Sequence, residues 1–409
     1  MKVLFFNQYF WPESFRINDV AKTLHDKGIE VEVLTGKPNY PRGEVFKGYS
    51  AWGCQKEKYH DMTINRIPML ARGSGGPRLA LNYLSFVLSG LLFAPWMLRN
   101  KKFDVIFVYA PSPILQAIPA IFLGWLKGCP VALWVQDLWP ESLSATGFVK
   151  NWFALKLVEF VVRYIYGHVD LLLVQSHAFE APVRSLAGTT PIVYYPNSVD
   201  EIFATPVQYA VPEVVGMAHG FTVMFAGNIG NAQAVEVIVE AVALLQAHQN
   251  IHFVVLGEGS RWLWMKNQAQ RRGLLNLHLP GRFPVETMPG FMQKASALLV
   301  TLADQEIFKA TIPSKIQAYL AAGRPILACL NGEGADLVVE AEAGLAVPAE
   351  DAHALAEAVL RLSRMPKQER EAMGAQGRLY YAQHFSHDKL VDELIVHLQS
   401  VCNQKEKLE

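Results

Sequence analysis

Short apolar runs alternate with longer amphipathic or apolar stretches along most of the chain, which predicts strands and helices in turn. Residues 2–6 predict the first strand. A loop rich in Tyr9, Phe10, Trp11 and Pro12 follows, then a helix from about Arg16 to Lys27 closed by Gly28, then a strand over Glu30 to Thr35. This is the β-loop-α-β opening of a doubly wound parallel sheet, in which ligands bind at the carboxyl ends of strands. Asp104 to Tyr109, Val131 to Val135, Leu171 to Gln175 and Ile192 to Tyr195 continue the series with apolar helices between them. Their nearly unbroken apolar character fits a sheet covered on both faces. Gly36 to Arg78 interrupts the rhythm with Gly- and Pro-rich breaks and reads as a long insertion, with a further strand in Met62 to Leu70.

Pro196-Asn197-Ser198-Val199-Asp200 and the polar stretch to Gly220 read as a linker, after which the theme restarts. Strands are expected over Phe221 to Ala226, Ile251 to Leu256, Leu277 to Leu279, Ala297 to Leu302, Pro325 to Cys329 and Gly344 to Val347. Helices are expected over Ala232 to Gln246, Ala352 to Ser363, Lys367 to about His384 and Asp388 to Gln399, before a disordered polar tail from Gln404. The expected organisation is therefore an α/β chain of two Rossmann-like doubly wound domains, 1–205 and 206–385. Residues 386–409 add a C-terminal helix that packs back on the first domain, and the tail.

Composition narrows the function classes. Lys plus Arg and Asp plus Glu both number 37, so no global field points to nucleic acid and any anion recognition must be local. The four cysteines, Cys54, Cys129, Cys329 and Cys402, form no Cys-x-x-Cys pair and read as reduced packing residues of a cytoplasmic protein. The apolar run at the N-terminus is too short for a signal peptide. Leu79 to Leu98 is uncharged and about as long as a bilayer requires. Its Asn82, Ser85, Ser89 and Pro95, and its place where a crossover helix is needed, favour a greasy helix that is buried or lies on a membrane surface. Arg72, Arg78, Arg99, Lys101 and Lys102 flank it, as suits an interface with anionic lipid.

The strongest local chemistry lies in Thr311-Ile312-Pro313-Ser314-Lys315-Ile316, which opens a helix closed by Gly323. Pro313 suits the first turn, Ser314 can satisfy an orphan backbone donor or meet a ligand, and Lys315 adds a cation where the helix end already carries partial positive charge. Such an end attracts phosphate. An ordinary capped helix with a surface lysine fits the same residues. Gly227-Asn228-Ile229-Gly230 forms a strand-to-helix loop that allows close backbone approach to a phosphate or sugar. Loops at Gly257-Glu258-Gly259 and Gly281-Arg282, and the run ending at Glu306, reach the same sheet edge. In the first domain, Asp137 follows a strand directly and is placed to hold a hydroxyl or assist proton transfer; a helix cap is the alternative. Glu13 and Arg16 are acceptor-side candidates, or a capping carboxylate and a solvated arginine. No Walker motif, no Gly-x-Gly-x-x-Gly after the first strand, no His/Cys metal cluster and no Gly-x-Ser-x-Gly elbow is present.

Taken together, Gly227-Asn228-Ile229-Gly230, Gly281-Arg282-Phe283 before Met288-Pro289, and Pro313-Ser314-Lys315 followed by Ala321-Ala322-Gly323-Arg324-Pro325-Ile326 resemble the GT-B glycosyltransferases of family four. Tyr9-Phe10-Trp11-Pro12-Glu13, Leu34 to Pro41, Asp137 to Ser142 and Pro196 to Asp200 are similar to the O-antigen and capsule subgroup of L-fucosamine (N-acetyl-L-fucosaminyl) transferases. The resemblance implies two domains facing a central cleft and a retaining, hexosyltransferase-type enzyme. Its nucleotide-diphosphate sugar, UDP-linked, would be held by the second domain, and its polyprenyl-diphosphate-linked acceptor by the first. It implies no metal or other cofactor, and a peripheral place on the cytoplasmic face of the inner membrane. On this reading Asp137, Arg282 and Lys315 are catalytic, and Gly227, Asn228, Gly230, Gln233, Glu258, Glu306 and Ser314 bind the donor.

The chain departs from the family pattern at several positions. Two glutamates common across this helix are matched by Ala310 and Ala318, the usual first-domain His by Gln136, and the usual basic residue after the glycine loop by Gln233. Other readings are an epimerase or phosphorylase on the same fold, or a sugar-nucleotide-binding protein without chemistry.

Overall fold

The computed structural model describes residues 1–73, 75–145, 151–199, 201–204 and 211–406. The first strands are β1 (Lys2–Phe6), β2 (Glu30–Thr35), β3 (Gln55–Tyr59), β4 (Met62–Arg66), β5 (Val105–Ala110), β6 (Val131–Val135), β7 (Leu171–Val174) and β8 (Ile192–Tyr194). With them run α1 (Ile17–Asp26), α2 (Gly76–Met97), α3 (Ala117–Lys127), α4 (Glu141–Ala145), α5 (Trp152–Gly167) and α6 (Glu180–Ala187). The following strands are β9 (Phe221–Ala226), β10 (Ile251–Leu256), β11 (Leu277–Gly281), β12 (Ala297–Thr301), β13 (Ile326–Cys329) and β14 (Gly344–Val347). Their helices are α7 (Glu201–Ala204), α8 (Val235–Leu244), α9 (Trp262–Arg271), α10 (Met288–Lys294), α11 (Glu306–Lys309), α12 (Ser314–Ala322), α13 (Glu333–Glu340), α14 (Ala352–Arg364) and α15 (Lys367–His384). The last helix, α16, covers His387–Glu406.

Two compact units result: Met1–Pro196 with Asp388–Glu409, and Asn197–His387. The boundary expected at 205/206, Asp200 of the linker, and Lys407 to Glu409 of the tail lie outside the described residues.

In the first unit the sheet order is β3-β4-β2-β1-β5-β6-β7-β8, parallel except where β3 meets β4. Side chains alternate across it. Val3, Phe5, Phe107 and Trp134 face α1 and the α16 residues Leu390, Val391, Leu394 and Leu398, all in one buried cluster. Phe6 points the other way, stacking edge-on with Phe86 of α2 at 5.9 Å. On that side α2 and α3 approach closely, because a Cβ on Gly90 would sit 2.7 Å from Pro119. The apolar stretch expected over Leu79 to Leu98 is thus the crossover helix between β4 and β5, with Asn82, Phe86, Gly90 and Ala94 buried and the opposite side open.

The second unit has the order β11-β10-β9-β12-β13-β14, with every pairing parallel. Counted from β9 this is 3-2-1-4-5-6, so the strand order reverses between β9 and β12, where a doubly wound sheet opens a crevice at its carboxyl edge.

Three expectations need correction. The insertion after β2 carries β3, an edge strand of alternating polar residues that presents no apolar signal. The terminal helix does not stop at Gln399 but runs to Glu406, with Val401 still buried against the sheet. Pro313 is the N-cap of α12 rather than its first turn, and no side chain caps that helix end.

Candidate functional site

The second unit builds its site around the start of α12. Seven of the nine residues of this helix, Ile316 to Ala322, are buried, which fixes its axis in the core. Gly323 (φ +67) turns the chain out into β13. Tyr319 locks the helix to the sheet: its hydroxyl accepts from the Ala226 N–H (3.2 Å) and donates to the Leu299 carbonyl (3.3 Å). Those two contacts join the end of β9 to the middle of β12, on either side of the strand-order reversal.

From this fixed base Lys315 reaches over the end of β9, its Nζ 3.6 Å from the centre of the Phe225 ring. Burial pushes its pKa down from 10.5 to about 7. A cation–π contact favours the charged amine, but desolvation outweighs it here. An incoming anion would reverse that balance by holding the proton on the amine.

The glycine loop closes over the lysine. Gly227 has φ +129, and a Cβ there would lie 2.7 Å from Lys315 Cε. The loop is itself tied down: Ile229 N–H donates to the Glu258 carbonyl (2.9 Å), and Gly257 N–H to the Gly281 carbonyl (2.8 Å). A Cβ on Gly257 would be 1.9 Å from the Gly227 carbonyl oxygen, so only glycine permits this stacking of loops. Gln233 braces the loop from within, its Oε1 accepting from Gly230 N–H (3.1 Å) and Asn228 Nδ2 (3.3 Å).

The structure therefore gathers Gly227, Asn228, Gly230, Gln233, Glu258, Ser314 and Lys315 at one sheet edge. Asn228, Glu258 and Ser314 are exposed there. Arg282 follows β11 at the same edge, exposed and without a hydrogen bond or ion pair among the described residues. Glu306 is also exposed, and its carboxylate pairs with Lys309 (2.5 Å). Of the two alanines matched above to the glutamates of the family pattern, Ala318 lies in the apolar core and Ala310 follows the last residue of α11. Phe225 and Tyr319 were not singled out by the sequence as site residues. Tyr319 stands one helical turn after Lys315, a spacing that could have flagged it.

In the first unit, β1, β5 and β6 bring another group together. Asp137 Oδ2 accepts from Ser112 Oγ (2.9 Å), and Ser112 Oγ accepts from Trp139 Nε1 (3.1 Å). Burial raises the Asp137 pKa, and the Ser112 hydrogen bond holds it back. Tyr109 lies within the electrostatic reach of both Arg16 and Asp137, and Tyr83 within that of Arg72 and Asp137. Arg16 Nη1 is buried without a partner among the described residues. Glu13 is only 2% exposed, and its Oε1 accepts from the backbone N–H groups of Asn39 and Tyr40 (2.7 Å each), so its visible task is to hold the loop after β2. Burial pushes its pKa up to about 7 against the pull of those donors. Tyr9, Phe15 and Tyr40 form an aromatic cluster beside it, with the Arg72 guanidinium over Tyr40. Among the described residues no three His, Cys, Asp or Glu side chains are grouped to hold a metal ion.

Both units match known families. Residues 14–198 match the Glycosyl transferase 4-like domain and residues 220–365 the Glycosyl transferases group 1 family. WcaI of Escherichia coli K12, named a colanic acid biosynthesis glycosyl transferase, is 23% identical over 352 residues, covering 79% of this chain and 82% of its own. Among solved structures, the sucrose-phosphate synthase of Thermosynechococcus elongatus has a TM-score of 0.74 at 16% identity, covering 98% of each chain. Anabaena Alr3699/HepE in complex with UDP and glucose has a TM-score of 0.69 at 16% identity, covering 98% of this chain and all of its own. Its two doubly wound units therefore have the fold of the GT-B glycosyltransferases, and each is similar to a glycosyl transferase domain family, the two in this order along the chain.

Proposed function

We propose that the enzyme is a retaining transferase that moves an N-acetylated deoxyhexosamine, such as L-FucNAc, from a UDP-linked donor to a polyprenyl-diphosphate-linked saccharide during surface-polysaccharide assembly. The reading places it in the cytoplasm, peripheral to the inner membrane, and needs no metal or other cofactor. The observation that carries it is the convergence of Lys315, the Gly227 loop and the uncapped start of α12 at the strand-order reversal of the second unit. These groups suit a diphosphate: backbone donors, partial positive charge and an amine that gains its proton as the anion arrives. The UDP and glucose held by HepE and the colanic acid role in the name of WcaI support the donor class and the pathway class.

In this mechanism the bond between the sugar anomeric carbon and the diphosphate oxygen breaks, and its electron pair stays on the diphosphate. Lys315, Arg282 and the α12 N-terminus stabilise that charge. The acceptor hydroxyl forms the new bond on the same face of the sugar, and its proton passes to a carboxylate supplied by the acceptor-binding unit, for which Asp137, made more basic by burial, is the candidate. Purified protein incubated with a panel of UDP-sugars and a short lipid-diphosphate saccharide tests this. UDP appearing only with both substrates, and a product of unchanged anomeric configuration, is expected. Tight donor binding without UDP release for any pair would overturn it.

A further inference from the structure

The side of the first unit built by α2, α3 and α5 is left open to solvent with an apolar surface. On α2, Leu84, Leu88 and Leu92 lie on one outward stripe at helical spacing, and Leu92 is 71% exposed. Next to it α3 carries Trp125, 76% exposed. Phe153, Leu157 and Phe160 continue the surface along α5, which touches α3. A monomer in water does not normally leave so many large side chains contiguous and bare.

We infer that this three-helix face docks on an anionic lipid bilayer, lying in the interface rather than crossing it. Three observations select this occupant. Basic side chains flank α2: Arg78 precedes the stripe, Arg99 and Lys102 follow it, neither α2 nor α3 contains Asp or Glu, and the one acidic residue of α5, Glu159, is paired with Lys156 (3.0 Å) and Arg163 (3.3 Å). An isologous pair of copies would press this basic border against itself, whereas anionic headgroups match it. Tryptophans stand at the limits of the apolar surface, Trp96 at the end of α2 and Trp152 at the start of α5, as side chains at a membrane interface do. Crossing is ruled out by the inner side of α2, which is part of the fold: Asn82 Oδ1 accepts from Gln8 Nε2 (2.8 Å), and Phe86 packs on Phe6.

The placement also joins the surface to the chemistry. The first turns of α2 present Leu81 and Leu84 outward while Asn82 and Tyr83 turn inward, Tyr83 within electrostatic reach of Asp137 and Arg72. A lipid tail resting on the outer stripe would therefore bring its diphosphate-linked head toward Asp137. This deepens the membrane-contact part of the proposed function and rests on it, but the surface is tested without donor or acceptor.

Co-sedimentation of the full chain with phosphatidylglycerol/phosphatidylethanolamine vesicles, against phosphatidylcholine vesicles, is the experiment. Binding to the anionic vesicles with a blue shift of tryptophan emission is expected. Leu88→Glu with Leu92→Glu should weaken it at least tenfold, and Arg99→Glu with Lys102→Glu should abolish the preference for anionic lipid. Trp125→Ser, on a different helix, should give a smaller loss and guards against a folding defect in the double variant, which circular dichroism also checks. If the protein stays in the supernatant with anionic vesicles at low salt, or forms a dimer that Leu88→Glu dissolves, the inference fails. Transfer to a short-tailed soluble acceptor should survive these substitutions; absence of transfer in the wild type would count against the proposed function and not against this surface.

Discussion

Lys315 Nζ lies 3.6 Å from the centre of the Phe225 ring, beneath the Gly227 backbone, and this relationship links a helix N-terminus to the end of a neighbouring strand. The lysine is held where burial drives its pKa to about 7 and where a diphosphate would drive it back up. Replacing it by Met keeps the packing against Phe225 and deletes the amine. The expected result is a kcat lower by about 10²-fold, as for loss of a group that meets developing negative charge. Arg282→Ala, at an exposed position, should cost less in kcat and raise the donor KM. Steady-state kinetics at saturating acceptor would show the difference; two variants with wild-type turnover would contradict the charge-stabilisation argument.

Gly227→Ala tests the loop. Its φ of +129 is unfavourable for alanine, and the added Cβ would meet Lys315 Cε at 2.7 Å. Backbone strain of about 1–3 kcal/mol is expected, together with displacement of the lysine tip. Thermal unfolding should show a lowered Tm, and donor binding should weaken more than the stability loss accounts for. Unchanged donor affinity would mean that the loop does not shape the site.

Ser112→Ala addresses Asp137. Ser112 Oγ donates to Asp137 Oδ2 at 2.9 Å and holds the carboxyl pKa down against burial. Without it the pKa rises further, so the acid limb of the pH–rate profile should move to higher pH. A profile that does not move would remove Asp137 from the proton path. The Trp139 indole N–H also loses its acceptor, a cost of about 1 kcal/mol that a denaturant titration would register.

Glu13 makes a stability prediction with a defined sign. Its folded pKa is raised to about 7 from 4.5, so the folded state binds the proton more tightly, and this contribution is lost as pH rises from 4.5 through 7. Glu13→Gln keeps an acceptor for the Asn39 and Tyr40 N–H groups without the charge. The stability difference between variant and wild type should move in favour of the variant across that window, by at most about 1.4 kcal/mol per pH unit. Glu13→Ala strands two buried donors and should be about 2 kcal/mol less stable than Glu13→Gln at every pH. A difference between Gln variant and wild type that is flat with pH would contradict the assigned ionisation.

Most of the sheet was legible because parallel strands covered on both faces announce themselves as apolar runs, as Phe221–Ala226 and Val131–Val135 do. The edge strand Gln55–Tyr59 was not, since its Gln-Lys-Glu-Lys-Tyr alternation matches a solvated loop as well as a strand. At the site, the sequence pointed to Lys315 through its place at a helix start, yet treated it as a plain cation. Its depressed pKa comes from burial, which only the fold creates by bringing Phe225, distant in the chain, beneath it and the Gly227 loop over it. Similarly, Asp137 stood out at a strand end, whereas its partner Ser112 arrives from the end of the adjacent strand. Glu13 looked like a ligand for the same reason: the two backbone N–H groups that occupy it come from the loop after β2.

The central claim is that Lys315 takes up a proton as the donor diphosphate binds. Calorimetric titration of UDP at pH 8, in two buffers of different ionisation enthalpy, reads that proton directly. The account predicts net uptake approaching one proton per UDP in the wild type and none in Lys315→Met, with weaker binding in the variant. Equal uptake in both proteins, or none in the wild type, would contradict it.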